Sequence, residues 1–233
     1  MKRLRPISFN PKIARQELES FRCLLSDKTE LSRERDLLDF FRAHKQLIAL
    51  IGFFHEIPIN IDRISWEYDL FGDFKSDFVA GDYERHKYCF AEFQDATKDS
   101  IFKKGKRSNS EWADSFEEGF SQIVDWAYKL ADNEKLDEFE NRFGARTIDA
   151  QYVIIVGRSA FLDPSESKRF QWRRRRIALE SRPIRCLTYD ELFADMNIFL
   201  NILPTAAQAD ARLTMEGKQE LAELGFENSF AHP

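Results

Sequence analysis

Cysteine is scarce in this chain: Cys23, Cys89 and Cys186 are the whole complement. They are odd in number, far apart and in no C-x-x-C arrangement, which argues against a disulfide framework and against structural zinc. A reducing cytoplasm is the expected compartment. Long apolar runs are missing as well, since no stretch approaches the ~18 residues that would suggest a membrane span. The start, Met1-Lys2-Arg3-Leu4-Arg5-Pro6, has charge but no apolar segment behind it, so it does not read as a signal peptide. G-x-S-x-G, G-x-x-x-x-G-K-[ST] and G-x-G-x-x-G are all absent, which leaves triad-hydrolase, phosphate-loop and dinucleotide readings without support. Positive charge is not in excess either. The chain has 35 Lys and Arg against 40 Asp and Glu, a net charge of −5. Any contact with nucleic acid must therefore come from local basic patches, not bulk attraction.

What is present is enough for a core. Hydrophobic residues make up 43% of 233 positions and aromatics 14%, which fits one large domain, or one domain with small appendages. Asn10 caps and Pro11 opens a first helix, along which Ile13, Leu18, Phe21 and Leu25 recur at helical spacing. The spacing predicts a second helix over Thr29–Ile51, with Leu37, Phe41, Ile48 and Ile51 inward and Gly52 as terminator. Glu34 falls on the side of Leu37, Leu38 and Phe41, where a carboxylate needs a partner or a metal. Glu56–Ile61 alternates as a first strand, with Pro58 at its entry, and Trp66–Asp69 reads as a loop or short strand. Ser110–Asp132 is a helix with the stripe Trp112, Phe116, Phe120, Ile123, Ala127 and Leu130, and Gln122 on its flank. Asn133–Glu138 reads as a solvated turn. Then come a buried strand, Gln151–Val156, a helix over Glu166–Ser181, a strand over Ile184–Leu187 and a helix over Tyr189–Leu200. Leu213, Leu221, Leu224 and Phe226 suggest one more helix. The alternation is that of an α/β protein.

The chain is organised around Lys75–Ala96. Two extended runs, one holding Asp77 and the other Glu92, flank a polar turn opened by Gly81-Asp82. A hairpin symmetric about Glu84-Arg85 places Asp77 directly opposite Glu92, with Cβ atoms about 5 Å apart on one face. Like charges so close repel unless a cation lies between them, and a hard divalent ion such as magnesium suits two carboxylates. The same register puts Lys75 opposite Gln94.

An acid on one strand followed by acid-x-Gln on the next resembles the core of the PD-(D/E)XK nucleases, with Asp77, Glu92 and Gln94 as the pattern. Glutamine stands in place of the usual lysine, and Ser76 in place of the usual proline. More of the chain, roughly residues 30 to 200, resembles the nuclease domain of the Shedu anti-phage defence proteins. That likeness rests on Gln122-Ile123-x-x-Trp126, the strand Tyr152–Val156, an arginine-rich helix and Thr188-Tyr189-Asp190-Glu191-Leu192. The resemblance implies a restriction-endonuclease-like mixed sheet with an α-β-β-β-α-β core over residues 29–203. A helical extension over 1–28 and a helical tail over 204–233 flank it. It implies magnesium, with manganese as a substitute, held by Asp77, Glu92 and the Phe93 carbonyl, and Glu34 as an extra contact. DNA is the implied substrate and a homo-oligomer the implied assembly.

Gln94 donates a hydrogen bond but supplies no positive charge, so Lys75 is a candidate for the missing cation. Two basic stretches are candidates for holding phosphates. Lys103, Lys104, Lys106 and Arg107 follow the acid-bearing strand, and Arg173 and Arg174 lie in a run of four arginines. Gln122 is a further candidate for contacting the substrate backbone. Two other classes stay open: a catalytically degenerate nucleic-acid-binding scaffold, and an assembly component built on its terminal helices.

Overall fold

The computed structural model of the chain describes residues 3–55, 60–103 and 109–203. In chain order, a two-residue strand β1 (Arg5–Pro6) precedes helix α1 (Pro11–Asp27). Asn10 caps α1 by accepting from the backbone N–H groups of Lys12 and Ile13. A π-helix (Arg33–Leu38) runs into α2 (Asp39–Ala43), and α3 (Lys45–Ile51) follows. Three strands come next: β2 (Arg63–Leu70), β3 (Phe74–Asp82) and β4 (Lys87–Phe93). A small ladder pairs β5 (Phe102–Lys103) with β6 (Glu111–Trp112). Then follow α4 (Asp114–Asn133), α5 (Asp137–Phe143), β7 (Asp149–Ile155) and α6 (Pro164–Arg176). A second small ladder pairs β8 (Ala178–Leu179) with β9 (Arg182–Pro183). Last come β10 (Arg185–Leu187) and α7 over 189–203. No helix among the described residues is long and apolar enough to cross a membrane.

The main sheet has six strands in the order β1-β2-β3-β4-β7-β10. β1 to β4 pair antiparallel, while β7 lies parallel to both β4 and β10. A parallel neighbour needs a long crossover, and α4 with α5 supplies it between β4 and β7. Apolar layers cover both faces. Phe21, Phe41, Ile48 and Met196 pack with Phe78, Cys89, Ala91 and Phe93 on one. Phe116, Ile123, Trp126, Phe139 and Phe170 pack with Val79, Tyr88, Phe90 and Ile154 on the other. Leu18 and Phe21 of α1 belong to the first layer, so α1 is a packed accessory helix. Ile13 is 43% exposed and Ala14 takes the buried place instead.

Several boundaries differ from the sequence expectation. The first of the three consecutive strands is Arg63–Leu70, not Glu56–Ile61; Asn60 and Ile61 precede it without strand structure, and residues 56–59 lie outside those described. Ile64 and Trp66 join one apolar layer and Tyr68 and Leu70 the other, with the switch at Glu67, whose φ is 46°. Thr29–Ile51 is not one helix, because a π-turn and a break at His44 interrupt it. Gly52 does not terminate α3 by turning left-handed; its φ is −59°. A Cβ there would lie 2.3 Å from Ile61 Cδ1 and 3.3 Å from Ala80 Cβ, so glycine leaves room for the Ile61 side chain against the sheet. Trp112 sits in β6, ahead of the helix that carries Phe116. The presumed turn after α4 leads into α5, whose Phe139 and Phe143 are fully buried and which Gly144 ends at φ 82°. α6 stops at Arg176 because Glu180 and Ser181, at φ 53° and 66°, fold the next residues into the β8–β9 turn. The expected helix containing Leu213 to Phe226 lies outside the described residues.

Phe41 joins the helical layer to the sheet, with its ring 5.2 Å from Phe21, 5.8 Å from Phe78 and 4.8 Å from Phe93. Phe41→Ala leaves a cavity there and is expected to destabilise the fold by about 3–5 kcal/mol. Denaturant unfolding measures this; a loss below about 1 kcal/mol would contradict the packing described.

Candidate active site

Successive residues of a strand point to opposite faces. On β4, Cys89, Ala91 and Phe93 enter the α1 layer, while Tyr88 and Phe90 enter the α4 layer. Glu92 shares the parity of the second group. The β3–β4 ladder runs from Asp82↔Lys87 to Phe78↔Ala91. This is the symmetric register, and its ladder ends one step short of Asp77 and Glu92. The turn itself is Tyr83–His86, beyond Asp82.

Both carboxyls are buried, Asp77 at 7% and Glu92 at 1% exposure, and both are held. Asp77 Oδ2 accepts from the Phe93 backbone N–H at 2.9 Å. Glu92 Oε1 accepts from Gln94 Nε2 at 3.1 Å. With its amide nitrogen turned toward the acid, Gln122 donates to Glu92 Oε1 at 2.6 Å and Oε2 at 3.3 Å. Gln122 reaches β4 because α4 crosses it closely. A Cβ on Gly119 would lie 3.2 Å from Gln94 Nε2, so glycine there leaves room for the Gln94 amide.

A cation already meets the acid pair, and sequence reasoning missed it. Arg33 Nη2 donates to Asp77 Oδ1 at 2.7 Å and to Glu92 Oε1 at 3.4 Å, and Arg33 Nε donates to the Phe93 carbonyl at 2.6 Å. Backbone contacts bring it there. Leu31 and Ala96 exchange hydrogen bonds at 3.2 and 2.9 Å, and the Arg33 N–H donates to Asp95 Oδ1 at 2.6 Å. The π-turn, with Leu37 N–H bonded to Ser32 O, then directs the side chain across the end of β4. π-turns are rare and concentrate at functional sites. An α-helical wheel hides this, because it assumes a uniform period and puts Glu34 inside. In the structure the Glu34 side chain is 65% exposed, and its carboxylate accepts from Arg33 Nη1 at 2.7 Å. Glu34 is thus at the rim of the site and not on the buried side of the helix.

Electrostatics follow from this burial. Desolvation raises the Asp77 pKa, opposed by Arg33 and by the Phe93 N–H. Desolvation and then the neighbouring Asp77 push Glu92 well above the ordinary glutamate range. Burial disfavours charge on Arg33, but Asp77 and Glu92 outweigh it and hold the guanidinium protonated. Backbone strain coincides with the pair. The β2–β3 ladder passes from Trp66↔Phe78 to Tyr68↔Ser76, leaving out Glu67 and Asp77, and Glu67 has φ 46°. Strain of this kind, on the order of 1–3 kcal/mol, clusters at functional sites.

A cavity of about 440 Å³ opens onto Asp77, Arg33, Glu34, Lys75, Gln122 and Trp126. Lys75 is exposed at its mouth. Below the site, the Tyr189 hydroxyl donates to the Gln94 carbonyl at 2.7 Å. Its neighbours are occupied: Asp190 accepts from Arg158 at 2.9 Å and Glu191 from Arg174 at 2.8 Å. Thr188–Leu192 therefore supports the end of β4 and starts α7. Of the described phosphate-binding candidates, Lys103, Arg173 and Arg174 have other partners. Lys103 pairs with Asp114 at 2.6 Å. Arg173 pairs with Glu117 and lies 4.7 Å over the Trp112 ring. Arg174 is taken by Glu191, so both arginines are tied into the fold. Lys104, Lys106 and Arg107 lie outside the described residues.

Among the described residues no three His, Cys, Asp or Glu side chains gather as a ligand group. The donors that fit a cation are two carboxylates and one main-chain carbonyl. All three accept from one guanidinium, the carboxylates from Nη2 and the carbonyl from Nε, so they line one side of a positive charge. Such hard oxygen donors suit magnesium.

A carboxyl whose pKa is raised on folding adds stability below its unfolded value and loses it as pH rises through the folded value. For Glu92 the window opens near the unfolded value of about 4.3 and extends upward. Without metal, the melting temperature of the parent should therefore fall relative to Glu92→Gln as pH is raised from about 4 through neutrality. Parallel melting profiles for the two proteins would refute this.

No curated protein matches the chain. A family model does: the one described as Shedu protein SduA, C-terminal, matches residues 31–193. That span takes in Arg33, the acid pair, Gln94, Gln122 and the Thr188–Leu192 segment, and it covers most of the 233 residues. The chain thus belongs to the Shedu SduA C-terminal family.

Proposed function

We propose that the chain is a magnesium-dependent DNA endonuclease of the PD-(D/E)XK superfamily, acting in the anti-phage defence that membership of the Shedu family implies. The observation that carries this reading is the convergence of Asp77 Oδ1, Glu92 Oε1 and the Phe93 carbonyl on one cationic group. The order of helix, three antiparallel strands, helix and parallel strand supports it. A cytoplasmic homo-oligomer, with manganese able to replace magnesium, belongs to the same proposal.

Asp77, Glu92 and the Phe93 carbonyl would hold the ion. When bound, it supplies Lewis-acid polarisation of a phosphate and a more acidic water. Glu92 must be ionised to bind it, and Gln94 and Gln122 orient the carboxylate by donating to it. Neither glutamine carries charge, so stabilising negative charge on a phosphate falls to Lys75 at the cavity mouth. On α6, Lys168, Arg175 and Arg176 are exposed and Trp172 is 64% exposed, giving a basic surface with a stacking ring for a DNA strand. A second reading, a degenerate nuclease fold that binds nucleic acid without cutting it, draws on Gln94 and on the guanidinium that already satisfies the acid pair.

Purified protein should nick supercoiled plasmid with Mg²⁺, Asp77→Ala and Glu92→Ala should abolish nicking, and Lys75→Ala should slow it on the order of 100-fold. Undiminished nicking by the acid variants would eliminate the enzyme; DNA retention without nicking by the parent would establish the second reading. Arg175→Ala with Arg176→Ala should weaken DNA binding at low salt and flatten the salt dependence by roughly 0.9 logarithmic units for each lost phosphate contact. Arg173→Ala should instead lower the melting temperature. Unchanged DNA affinity in the Arg175 and Arg176 variant would remove α6 from the DNA surface.

A further inference from the structure

We propose that Arg33 is the site's built-in competitor for the cation: its guanidinium keeps the acid pair assembled and shut, and a divalent ion enters as it leaves. This rests on the metal reading of Asp77 and Glu92 given above. Three distances carry it. Nη2 lies 2.7 Å from Asp77 Oδ1 and 3.4 Å from Glu92 Oε1, and Nε lies 2.6 Å from the Phe93 carbonyl oxygen. These are the oxygens assigned to the ion. Magnesium requires its oxygens at about 2.0–2.1 Å, so the guanidinium and the ion cannot hold the same three lone-pair sets. Their binding is mutually exclusive.

The surroundings define where the guanidinium goes. The Arg33 backbone N–H is fixed by Asp95 at 2.6 Å, so the movement is confined to the side chain. Nη1 already rests on Glu34 Oε1 at 2.7 Å, and that carboxylate is 65% exposed at the rim of the cavity. The guanidinium can therefore swing outward while keeping one ionic partner. Glu34 then acts as a positioning residue that supports the open state through Arg33, and not as a ligand of the ion.

The test is calorimetric titration of the full-length metal-free chain with MnCl₂, read alongside the Mn²⁺-induced shift in melting temperature. Arg33→Ala should bind Mn²⁺ at least tenfold more tightly than the parent. Arg33→Met, which retains the apolar stem, should do the same if the alanine variant folds poorly. Glu34→Gln, which removes the outward partner, should bind severalfold more weakly than the parent. Equal or weaker affinity in both Arg33 variants overturns the proposal, as does unchanged affinity in Glu34→Gln. Asp77→Ala separates the two readings. If it abolishes binding while the Arg33 variants bind no tighter than the parent, the competitor role alone fails. If binding persists in Asp77→Ala, the metal assignment fails and the competitor role with it.

Discussion

Two carboxyl groups taken out of water on one face of a sheet need a positive partner, and the rest of the structure is arranged to supply one. Removing a single charge from water is costly, and two like charges side by side cost more. The chain meets this demand with Arg33, held over the end of β4 by the Leu31–Ala96 bridge and by Asp95. Asp77 and Glu92 also receive neutral donors, the Phe93 N–H, Gln94 and Gln122. For core packing alone an apolar pair would serve better.

The two apolar layers explain how such a pair stays buried without being crushed. Phe41, Phe78 and Phe93 interlock beneath the strands, while Trp126 and Ile123 close the opposite face. α4 lies close enough to β4 for Gln122 to touch Glu92, and Gly119 keeps the crossing open for Gln94. From the far end of the chain, Tyr189 anchors the carbonyl of Gln94. Gln122, Gln94 and Tyr189, spread along the sequence, thus meet within one or two contacts of the acid pair, while the arginine-rich helix is engaged elsewhere.

The hairpin was legible from sequence because strand pairing is local and has a strict period of two. A polar turn between two alternating runs leaves little choice of register, and the symmetric register is the one present. The amphipathic α4 was readable for a similar reason, with Ile123, Ala127 and Leu130 buried at helical spacing. Arg33 was not readable. Its role depends on a π-turn that breaks the assumed helical period, and on contacts with Asp77 and Glu92 at 44 and 59 residues' separation. The ion pairs of the arginine run were not readable either. Composition marked Arg173 and Arg174 as phosphate candidates, and in the structure Glu117 and Glu191, distant in sequence, pair with them.

The π-turn has one more consequence. It accommodates one residue more than an α-helical path would need between Ser32 and Asp39. Loss of a single codon there would let the segment wind with ordinary periodicity and rotate the preceding side chains by about 100°. Arg33 would then swing off the acids with no change in any residue that contacts them. A one-residue deletion is therefore a second mutational route, besides replacing Arg33 itself, by which descendants of this chain could unlock the site.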